Sequence, residues 1–197
     1  MNVEVFEEMY KGVPPWDIAN PQGEISRLAE AGEIKSPVLD VGCGTGENLL
    51  YLAGLGYEVL GIDIVPAAIE KALGKTADRS MALDFRVWDA LKLDDLQRKF
   101  KTVIDSGLFH TLSDDERPIF VRGLASVLNP GGTYFMLCFS EHEPGSWGPR
   151  RVTQQEIRDS FGSGWRINYI REMRFDTHVG PECCSGWLSS ITWINVD

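Results

Sequence analysis

The sequence predicts an α/β fold in which a seven-stranded, mostly parallel sheet with a reversed last strand carries helices on both faces. Three observations lead to this prediction. Short apolar, β-branched runs alternate with helical patterns through most of the chain, as in sheets whose parallel strands are joined by helices. A glycine-rich segment lies between the first strand and the helix after it. The last two strand patterns have no helix between them.

Start and stop signals in the sequence set the boundaries of these elements. Pro66 stands where a first helical residue is expected, and Gly56 follows the preceding helix. Two capping boxes, at Ser113 and Thr153, each with a glutamate three residues later, open further helices. We expect strands at 37–41, 57–62, 84–88, 102–105, 133–140, 165–175 and 187–196, and helices at 47–55, 66–73, from 113 to about 128, and 153–161.

The end of the chain departs from simple alternation. In 165–175 the odd positions are mostly apolar and their neighbours mostly polar, and no helix precedes 187–196. We expect these two strands to pair as an antiparallel hairpin, with the reversed strand at the edge of the sheet. The chain is expected to be one domain, in which residues 1–36 form an arm with lid helices packed on the core and residues 37–197 form the core domain.

Composition limits the classes of partner. The 197 residues include 29 acidic and 19 basic side chains, a net charge of −10. Proteins that grip DNA or RNA usually carry a basic stripe, so we expect no nucleic-acid partner. No apolar run approaches the ~18–20 residues that cross a bilayer, and the first residues do not resemble a secretory signal. We therefore expect a cytoplasmic protein without a membrane partner.

The cysteines and histidines do not predict a metal site. The four cysteines, Cys43, Cys138, Cys183 and Cys184, lack the C-x-x-C spacing of zinc sites. The neighbouring Cys183 and Cys184 leave open a soft metal or metalloid, although small residues at the start of a strand are the preferred interpretation. His142, between two glutamates, is interpreted as part of a solvated loop.

The segment from Asp40 to Gly46, D-V-G-C-G-T-G, is the strongest functional signal. Glycines between a strand and a helix let a ligand approach the backbone. Dinucleotide-binding folds use G-x-G-x-x-G around a pyrophosphate, whereas here an acid precedes G-x-G-x-G. A carboxylate would repel a pyrophosphate but suits the ammonium group of S-adenosylmethionine (SAM), which has no phosphate. The segment therefore predicts SAM binding and disfavours the rival hypothesis of a nicotinamide-dependent oxidoreductase.

Two more acids stand at the ends of predicted strands. Asp63 ends the second strand, where a carboxylate can accept hydrogen bonds from both ribose hydroxyls. Asp89 ends the third strand and could accept from an adenine amino group, although a solvated strand-end acid is the alternative. Ligands bind in the crevice at the carboxyl ends of such sheets, so we expect the three acids to line one crevice.

These segments resemble the class I SAM-dependent methyltransferases, whose sheet is Rossmann-like. The resemblance covers nearly the whole chain, with LDVGCGTGENLLYLA similar to the first motif, GIDIVPAAIEKA to the ribose-binding strand, and LNPGGTYF to the turn before strand five. It implies cofactor contacts from Trp16, Asp40, Gly42, Cys43, Gly44, Gly46, Asp63, Ile64, Asp89, Ala90, Asp105 and Ser106.

The N-terminal PPWDIANPQGEI is similar to the W-D/E-x-x-x-P-Q segment of thiopurine-, thiol- and halide-methyltransferase-like enzymes. IDSGLFH and CFSEHEPGSWGPRRVTQQEI resemble mycobacterial-type enzymes that methylate heterocycles such as hydroxyquinolones. The resemblance implies methyl transfer to O, N or S of a small, aromatic or heterocyclic molecule. Thiol, halide or metalloid-oxyanion acceptors, and a SAM-binding protein without catalysis, stay open. The stretch 176–184 matches no motif of these families.

The acceptor side is expected in the loops after strands four and five and in the N-terminal arm. His110, five residues beyond Asp105, is the candidate general base, with a structural loop histidine as the alternative. Tyr10 and Trp16 could form a lid that expels water, with ordinary packing of the N-terminal arm as the alternative, chiefly for Tyr10. Tyr10, Phe109 and Trp147 are the aromatic residues expected to contact the acceptor. Arg150 and Arg151 could meet an anionic acceptor, but an exposed charged pair is preferred.

Overall fold

The computed structural model describes residues 3–79, 81–180 and 184–194, and these residues form the predicted seven-stranded sheet. The strands lie in the order β3-β2-β1-β4-β5-β7-β6. They span Val38–Val41 (β1), Val59–Asp63 (β2), Asp84–Val87 (β3), Phe100–Ser106 (β4), Leu128–Phe139 (β5), Trp165–Arg174 (β6) and Ser185–Trp193 (β7). The predicted end of the last strand, at 195–196, lies outside the described residues, as does Cys183.

Strand directions agree with the predicted class, and one placement is corrected. β1 to β5 pair in parallel, and β7 runs antiparallel to both β5 and β6. The last strand is therefore reversed and forms the expected hairpin with β6. It does not lie at the edge, because β7 inserts between β5 and β6 and leaves β6 outermost. This fits the burial of the two strands, since β7 is almost wholly buried whereas nearly all residues of β6 are exposed or half-exposed.

In the part of the chain that the structure describes, six helices surround the sheet: Val3–Tyr10 (α1), Gly23–Glu30 (α2), Glu47–Gly54 (α3), Pro66–Asp78 (α4), Glu116–Val127 (α5) and Gln154–Ser160 (α6). Pro66 is the first residue of α4, as predicted. The Thr153 hydroxyl and the Glu156 carboxylate exchange hydrogen bonds with each other's backbone, so the capping box of α6 is confirmed. None of the helices of the described residues is long and apolar enough to cross a membrane.

Alternate residues of the central strands feed two separate apolar layers, because successive side chains of a strand point to opposite faces. On β5, Tyr134, Met136 and Cys138 join the layer that includes Phe120 of α5. Their neighbours Phe135 and Leu137 join the layer with α2, α3 and α4. The helices on both faces thus follow from strands that are apolar at nearly every position.

Three details differ from the sequence-based boundaries. Two short 3-10 helices, at Ala90–Leu96 and Phe109–Thr111, were not predicted. The first is capped by the Asp89 side chain, which accepts from the Leu91 N–H at 2.9 Å. β5 begins at Leu128, before the expected Asn-Pro-Gly-Gly turn, because Leu128 already pairs with Phe100 across a register shift.

Two glycine substitutions should change stability in opposite directions. A Cβ on Gly61 in β2 would lie 2.5 Å from Cδ1 of Phe85 and 2.7 Å from Cδ1 of Leu49. Gly61→Ala should therefore lower the free energy of unfolding by about 1–3 kcal/mol through overpacking. Gly74 lies inside α4 with nothing within 4 Å of such a Cβ, so Gly74→Ala should raise it by about 0.5–1 kcal/mol. Urea unfolding measures both, and a neutral Gly61→Ala would contradict the packing of β2 against β3.

Candidate active site

A buried carboxylate without partners lies at the carboxyl end of β1. Asp40 is fully buried, and neither of its oxygens has a hydrogen-bond partner among the described residues. Burial raises the pKa of this carboxyl well above its usual value, and the carboxylates of Asp105 and Asp63 raise the same pKa further. The Asn48 side chain approaches and lowers that pKa in part, without the geometry of a hydrogen bond. Such an orphaned acid is suited to receive a cation.

The glycine loop that follows β1 is shaped for close approach. Gly42, Gly44 and Gly46 all have positive φ, between 54° and 86°, which favours glycine. A Cβ on Gly44 would lie 2.9 Å from the Tyr10 hydroxyl oxygen, so the loop and the N-terminal arm are in contact here. The Gly44 N–H points to the neighbouring strand end, where it donates to Asp63 Oδ2 at 2.9 Å.

Asp63, the last residue of β2, connects backbone segments at the carboxyl end of the sheet. Its second oxygen accepts from the Val65 N–H at 2.9 Å, so the carboxylate joins the glycine loop to the start of α4. Burial raises the pKa of Asp63, and the backbone hydrogen bonds partly offset that. Each carboxylate oxygen has a second lone pair, so Asp63 can still accept from a ligand hydroxyl.

Residues 10–18, here called the strap, cross this edge. Tyr10 is buried against Val65 and Ala68, and Trp16 donates from Nε1 to the Tyr10 hydroxyl at 3.2 Å. Trp16 itself is 38% exposed. The structure therefore brings the two predicted lid aromatics together over the glycine loop.

Side chains from three parts of the fold pin the strap. Lys71 of α4 donates to the carbonyl oxygens of Tyr10 and Gly12, at 2.9 and 3.0 Å. Asp17 accepts a very short hydrogen bond from the Thr45 hydroxyl. On the other side, the His178 ring nitrogen Nε2 lies 2.9 Å from the Asp17 carbonyl oxygen. The closed position of the strap thus depends on α4, the glycine loop and the β6–β7 loop.

Gln22 connects the N-terminal arm to the start of the β6–β7 loop. Its side-chain amide pairs with the backbone of Asp176, donating to the carbonyl and accepting from the N–H, both at 2.9 Å. The Asp176 carboxylate in turn accepts from the Gly23 N–H at 2.8 Å. The glutamine of the N-terminal motif therefore has a structural role: it holds the β6–β7 loop beside the strap.

His110 lies in an aromatic cluster at the ends of β4 and β5. Its ring centre is 5.0 Å from that of Phe139 and 6.1 Å from that of Phe175, and Trp147 meets Phe139 edge-on at 5.7 Å. Nδ1 of His110 accepts the Phe139 N–H at 2.9 Å. Burial lowers the pKa of His110 to about 3, and the positive charge of Arg151 contributes. The ring is therefore neutral at any ordinary pH.

The two arginines after this cluster are engaged by the protein. Arg151 donates to the carbonyl oxygens of Glu143, Pro144, Trp147 and Pro149. It thereby holds the loop that carries Trp147, which is 43% exposed. Arg150 pairs with Asp114 at 2.7 Å and with Glu156. Neither guanidinium is the plain exposed charge that the sequence suggested.

The remaining predicted residues separate into two groups. Cys43 and Ile64 lie beside Asp63 and Tyr10, and Asp89 is half-buried at the end of β3 with one oxygen on Leu91. Ser106 ends β4 and is half-buried. By contrast, two predicted residues lie in the apolar core: Phe109 stacks on Phe161 at 6.1 Å, and Ala90 packs in the same layer.

Asp105 is also buried, near the end of β4. Its carboxylate is fully buried and accepts from the N–H groups of Leu108 and Phe109 and from the Tyr134 hydroxyl, at 2.7, 3.0 and 2.6 Å. Burial raises the pKa of Asp105 to about 7 even though these donors lower it. The side chain is occupied by the turn after β4, so any ligand contact at this position would have to come from the main chain.

The sequence is similar to that of methyltransferases. Residues 38–132 match the profile of the family described as "Methyltransferase domain". The 2-heptyl-1-hydroxyquinolin-4(1H)-one methyltransferase of Mycobacteroides abscessus is 34% identical over an alignment of 215 positions, which covers 97% of this chain and 95% of that protein. The chain belongs to the SAM-dependent methyltransferases.

Solved structures agree with the family of this methyltransferase. A structure from work on the conversion of a disulfide bond into a thioacetal group during echinomycin biosynthesis superposes with a TM-score of 0.89 at 33% identity, covering 100% of this chain and 94% of that one. The magnesium protoporphyrin IX methyltransferase of Synechocystis PCC 6803, solved with bound SAM, has a TM-score of 0.67 at 20% identity and covers 95% and 79%. The second likeness concerns the fold alone.

The methyltransferase has residues whose chemistry fits SAM at the glycine loop. The orphaned carboxylate of Asp40 can take the ammonium group of the methionine part, which would return this acid to its charged form. The half-buried backbone of Gly44 lies beside the Tyr10 hydroxyl, and Asp63 can accept from ribose hydroxyls. Among the described residues no cluster of three metal-ligating side chains occurs.

Several residues of the methyltransferase site were missed by sequence analysis. Lys71, Thr45 and His178 hold the strap, and Phe139 and Phe175 surround His110. Lys71 and His178 belong to no motif, and the two phenylalanines look like ordinary strand residues. Gln22 and Thr45 had a signal, because they belong to the N-terminal motif and to the glycine segment.

Proposed function

We propose that this methyltransferase transfers the methyl group of SAM to an O, N or S atom of a small, flat aromatic or heterocyclic molecule. The observation that carries the proposal is the cluster of His110, Phe139, Phe175 and Trp147 beside the glycine-loop edge. Aromatic side chains favour flat aromatic partners through offset and edge-on packing. The similarity to a hydroxyquinolone methyltransferase supports the same class of acceptor.

The chain's own residues would act mainly by positioning. SAM supplies a methyl group on a sulfonium, which leaves as a neutral thioether. Asp40, the glycine loop and Asp63 would hold the donor, and the aromatic cluster would hold the acceptor on the methyl side. Fixing two reactants in line can supply about 7–11 kcal/mol of the barrier. The strap would cover both and keep water out.

Most of the residues named in the sequence analysis keep their expected roles in this proposal, and three have a different one. We assign donor binding to the side chains or backbone of Trp16, Gly42, Cys43, Gly44, Gly46, Ile64 and Asp89, and acceptor contact to Tyr10 and Trp147. Phe109, Ala90 and Asp105 would contribute through packing or main chain. We also propose that residues 1–36 form a lid arm on the core domain of 37–197, that the acceptor is no nucleic acid, and that the protein acts in the cytoplasm.

A panel of methyl acceptors tests the proposal. Purified protein would be incubated with methyl-labelled SAM and matched phenols, N-hydroxy and ring-nitrogen heterocycles, aromatic thiols, iodide, selenite, tRNA and a protein extract. We expect label in aromatic small molecules and a preference for two-ring over one-ring compounds. Transfer to iodide, selenite or tRNA with none to the aromatic set would refute the proposed acceptor class. Calorimetric titration with SAM separates a failure of donor binding from a failure of acceptor choice.

A further inference from the structure

The tautomer of His110 is fixed by its contact with β5. Nδ1 accepts a hydrogen bond from the Phe139 N–H, at 2.9 Å and in a buried position, so Nδ1 carries a lone pair and no proton. A neutral imidazole has one protonated nitrogen. The proton must therefore sit on Nε2.

Nε2 is the ring nitrogen on the side of Gly107. It lies 3.4 Å from where a Cβ on Gly107 would be, at the turn that follows β4. The described residues give Nε2 no hydrogen-bond partner, yet it is not among the buried polar atoms sealed from solvent. An N–H group with no partner beside an aromatic cluster is suited to meet a ligand.

We propose that His110 binds the acceptor as a hydrogen-bond donor, through Nε2–H to an anionic oxygen, and that it does not act as the general base. This rests on the proposed function and narrows its substrate class to hydroxyl compounds acidic enough to lose their proton in water before they bind. It replaces the general-base role suggested by the sequence.

The chemistry balances without a base. The acceptor oxygen, already an anion, forms the bond to the methyl carbon as the carbon–sulfur bond breaks. The electron pair of that bond stays on the sulfur, which becomes a neutral thioether. No proton is transferred in the step. The Nε2–H would select the anionic form of the acceptor and direct one oxygen lone pair at the methyl group.

The charged surroundings agree with this role. Arg151 acts on the ring through its positive charge, which disfavours an imidazolium and favours an anionic guest. Asp105, on the same connection as His110, turns its carboxylate to Leu108, Phe109 and Tyr134. The neighbours Phe139 of β5 and Phe175, which follows β6, do not titrate. None of the described residues packed on the ring would thus help it take up a proton.

The first test measures the tautomer of His110 directly. The chain has three histidines, so nitrogen NMR of histidine-labelled protein gives three ring systems, and His110→Gln identifies one of them. We expect His110 to be protonated at Nε2 and to stay neutral between pH 8 and pH 5. A ring protonated at Nδ1, or one that titrates near pH 6.5, would overturn the inference. This measurement holds whether or not an acceptor has been found.

The second test compares variants on an accepted hydroxyl compound. Glutamine keeps an N–H close to the Nε2 position but is no base, so His110→Gln should retain kcat/KM within about 5-fold. His110→Ala should lose about 10- to 100-fold, as for a hydrogen bond to a charged group. His142→Gln, at an exposed histidine beside Glu172, is the matched control. Equal loss in the Gln and Ala variants would contradict a donor.

The dependence of rate on pH distinguishes the two roles once more. With two acceptors of different acidity, the acid limb of kcat/KM should move with the pKa of the acceptor and be the same in wild type and His110→Gln. A limb that stays at one pH for both acceptors and disappears in His110→Gln would show a basic histidine. In that case the methyltransferase function would stand, and only this inference would fail.

Discussion

Asp40→Asn is expected to weaken SAM binding by about 30-fold to several thousand-fold while leaving the fold intact. The acid is fully buried and its oxygens have no partner within the described chain, so the ammonium of the donor would be its counter-charge. Removing one partner of a buried charged pair costs about 2–5 kcal/mol. Calorimetric titration with SAM measures the change directly.

Asp40→Asn should weaken SAM binding but should not lower the stability of the ligand-free protein. Because the pKa of Asp40 is raised in the folded state, this group binds more protons in the folded protein than in the unfolded chain between the usual aspartate pKa of about 3.9 and the raised folded pKa. Stability from this group is present at lower pH and is lost as pH rises towards the folded pKa. Ligand-free Asp40→Asn should thus melt at or above the wild-type temperature, with the difference growing with pH.

Adding SAM should reverse that order, since a ligand stabilises the state to which it binds. Asp95→Asn, at an exposed acid of the 3-10 helix after β3, serves as the control and should match wild type in both measurements. Undiminished SAM affinity in Asp40→Asn would mean that this carboxylate does not receive the donor.

Deleting residues 1–20 is expected to lower methyl transfer at least about 100-fold, with SAM affinity reduced no more than about 10-fold. The deletion removes the strap and its hydrogen bonds to Lys71, Thr45 and His178. Asp40, the glycine loop and Asp63 remain. A displacement of the reacting groups by about 1 Å can lower the rate 100-fold, and an open site admits water.

A milder variant separates the strap from the fold. Lys71→Met removes the hydrogen bonds to the carbonyls of Tyr10 and Gly12 and should lower kcat/KM about 10-fold, whereas Lys92→Met, on an exposed lysine, should not. Circular dichroism and the melting temperature establish that each protein is folded. If the truncated protein kept full turnover, the strap would not be a lid.

The sequence was informative where a function depends on neighbouring residues. Asp40 and the three glycines lie within seven positions, and the acid before G-x-G-x-G favoured SAM over a dinucleotide. Alternating apolar runs gave the strand count, because burial on both faces leaves a local pattern. The helix starts at Pro66 and Thr153 followed from capping chemistry for the same reason.

Features that depend on register or on distant contacts were not predictable in this way. The position of β7 inside the sheet follows from how β5 pairs, and no local pattern encodes that. Asp105 looks like the other strand-end acids, yet the turn after it brings two N–H groups back and β5 supplies the Tyr134 hydroxyl. The role of His110 could not be read either, since its tautomer depends on an N–H group 29 residues away.

The contact between Gln22 and Asp176 also has a consequence for protein synthesis. A nascent chain that has left the ribosome only as far as β5 already contains the glycine loop and all three acids. It lacks the β6–β7 loop that anchors the arm, and the outer edge of β5 is still without the strand that will pair with it. The enzyme can therefore close over its ligands only after the β6–β7 loop has been made.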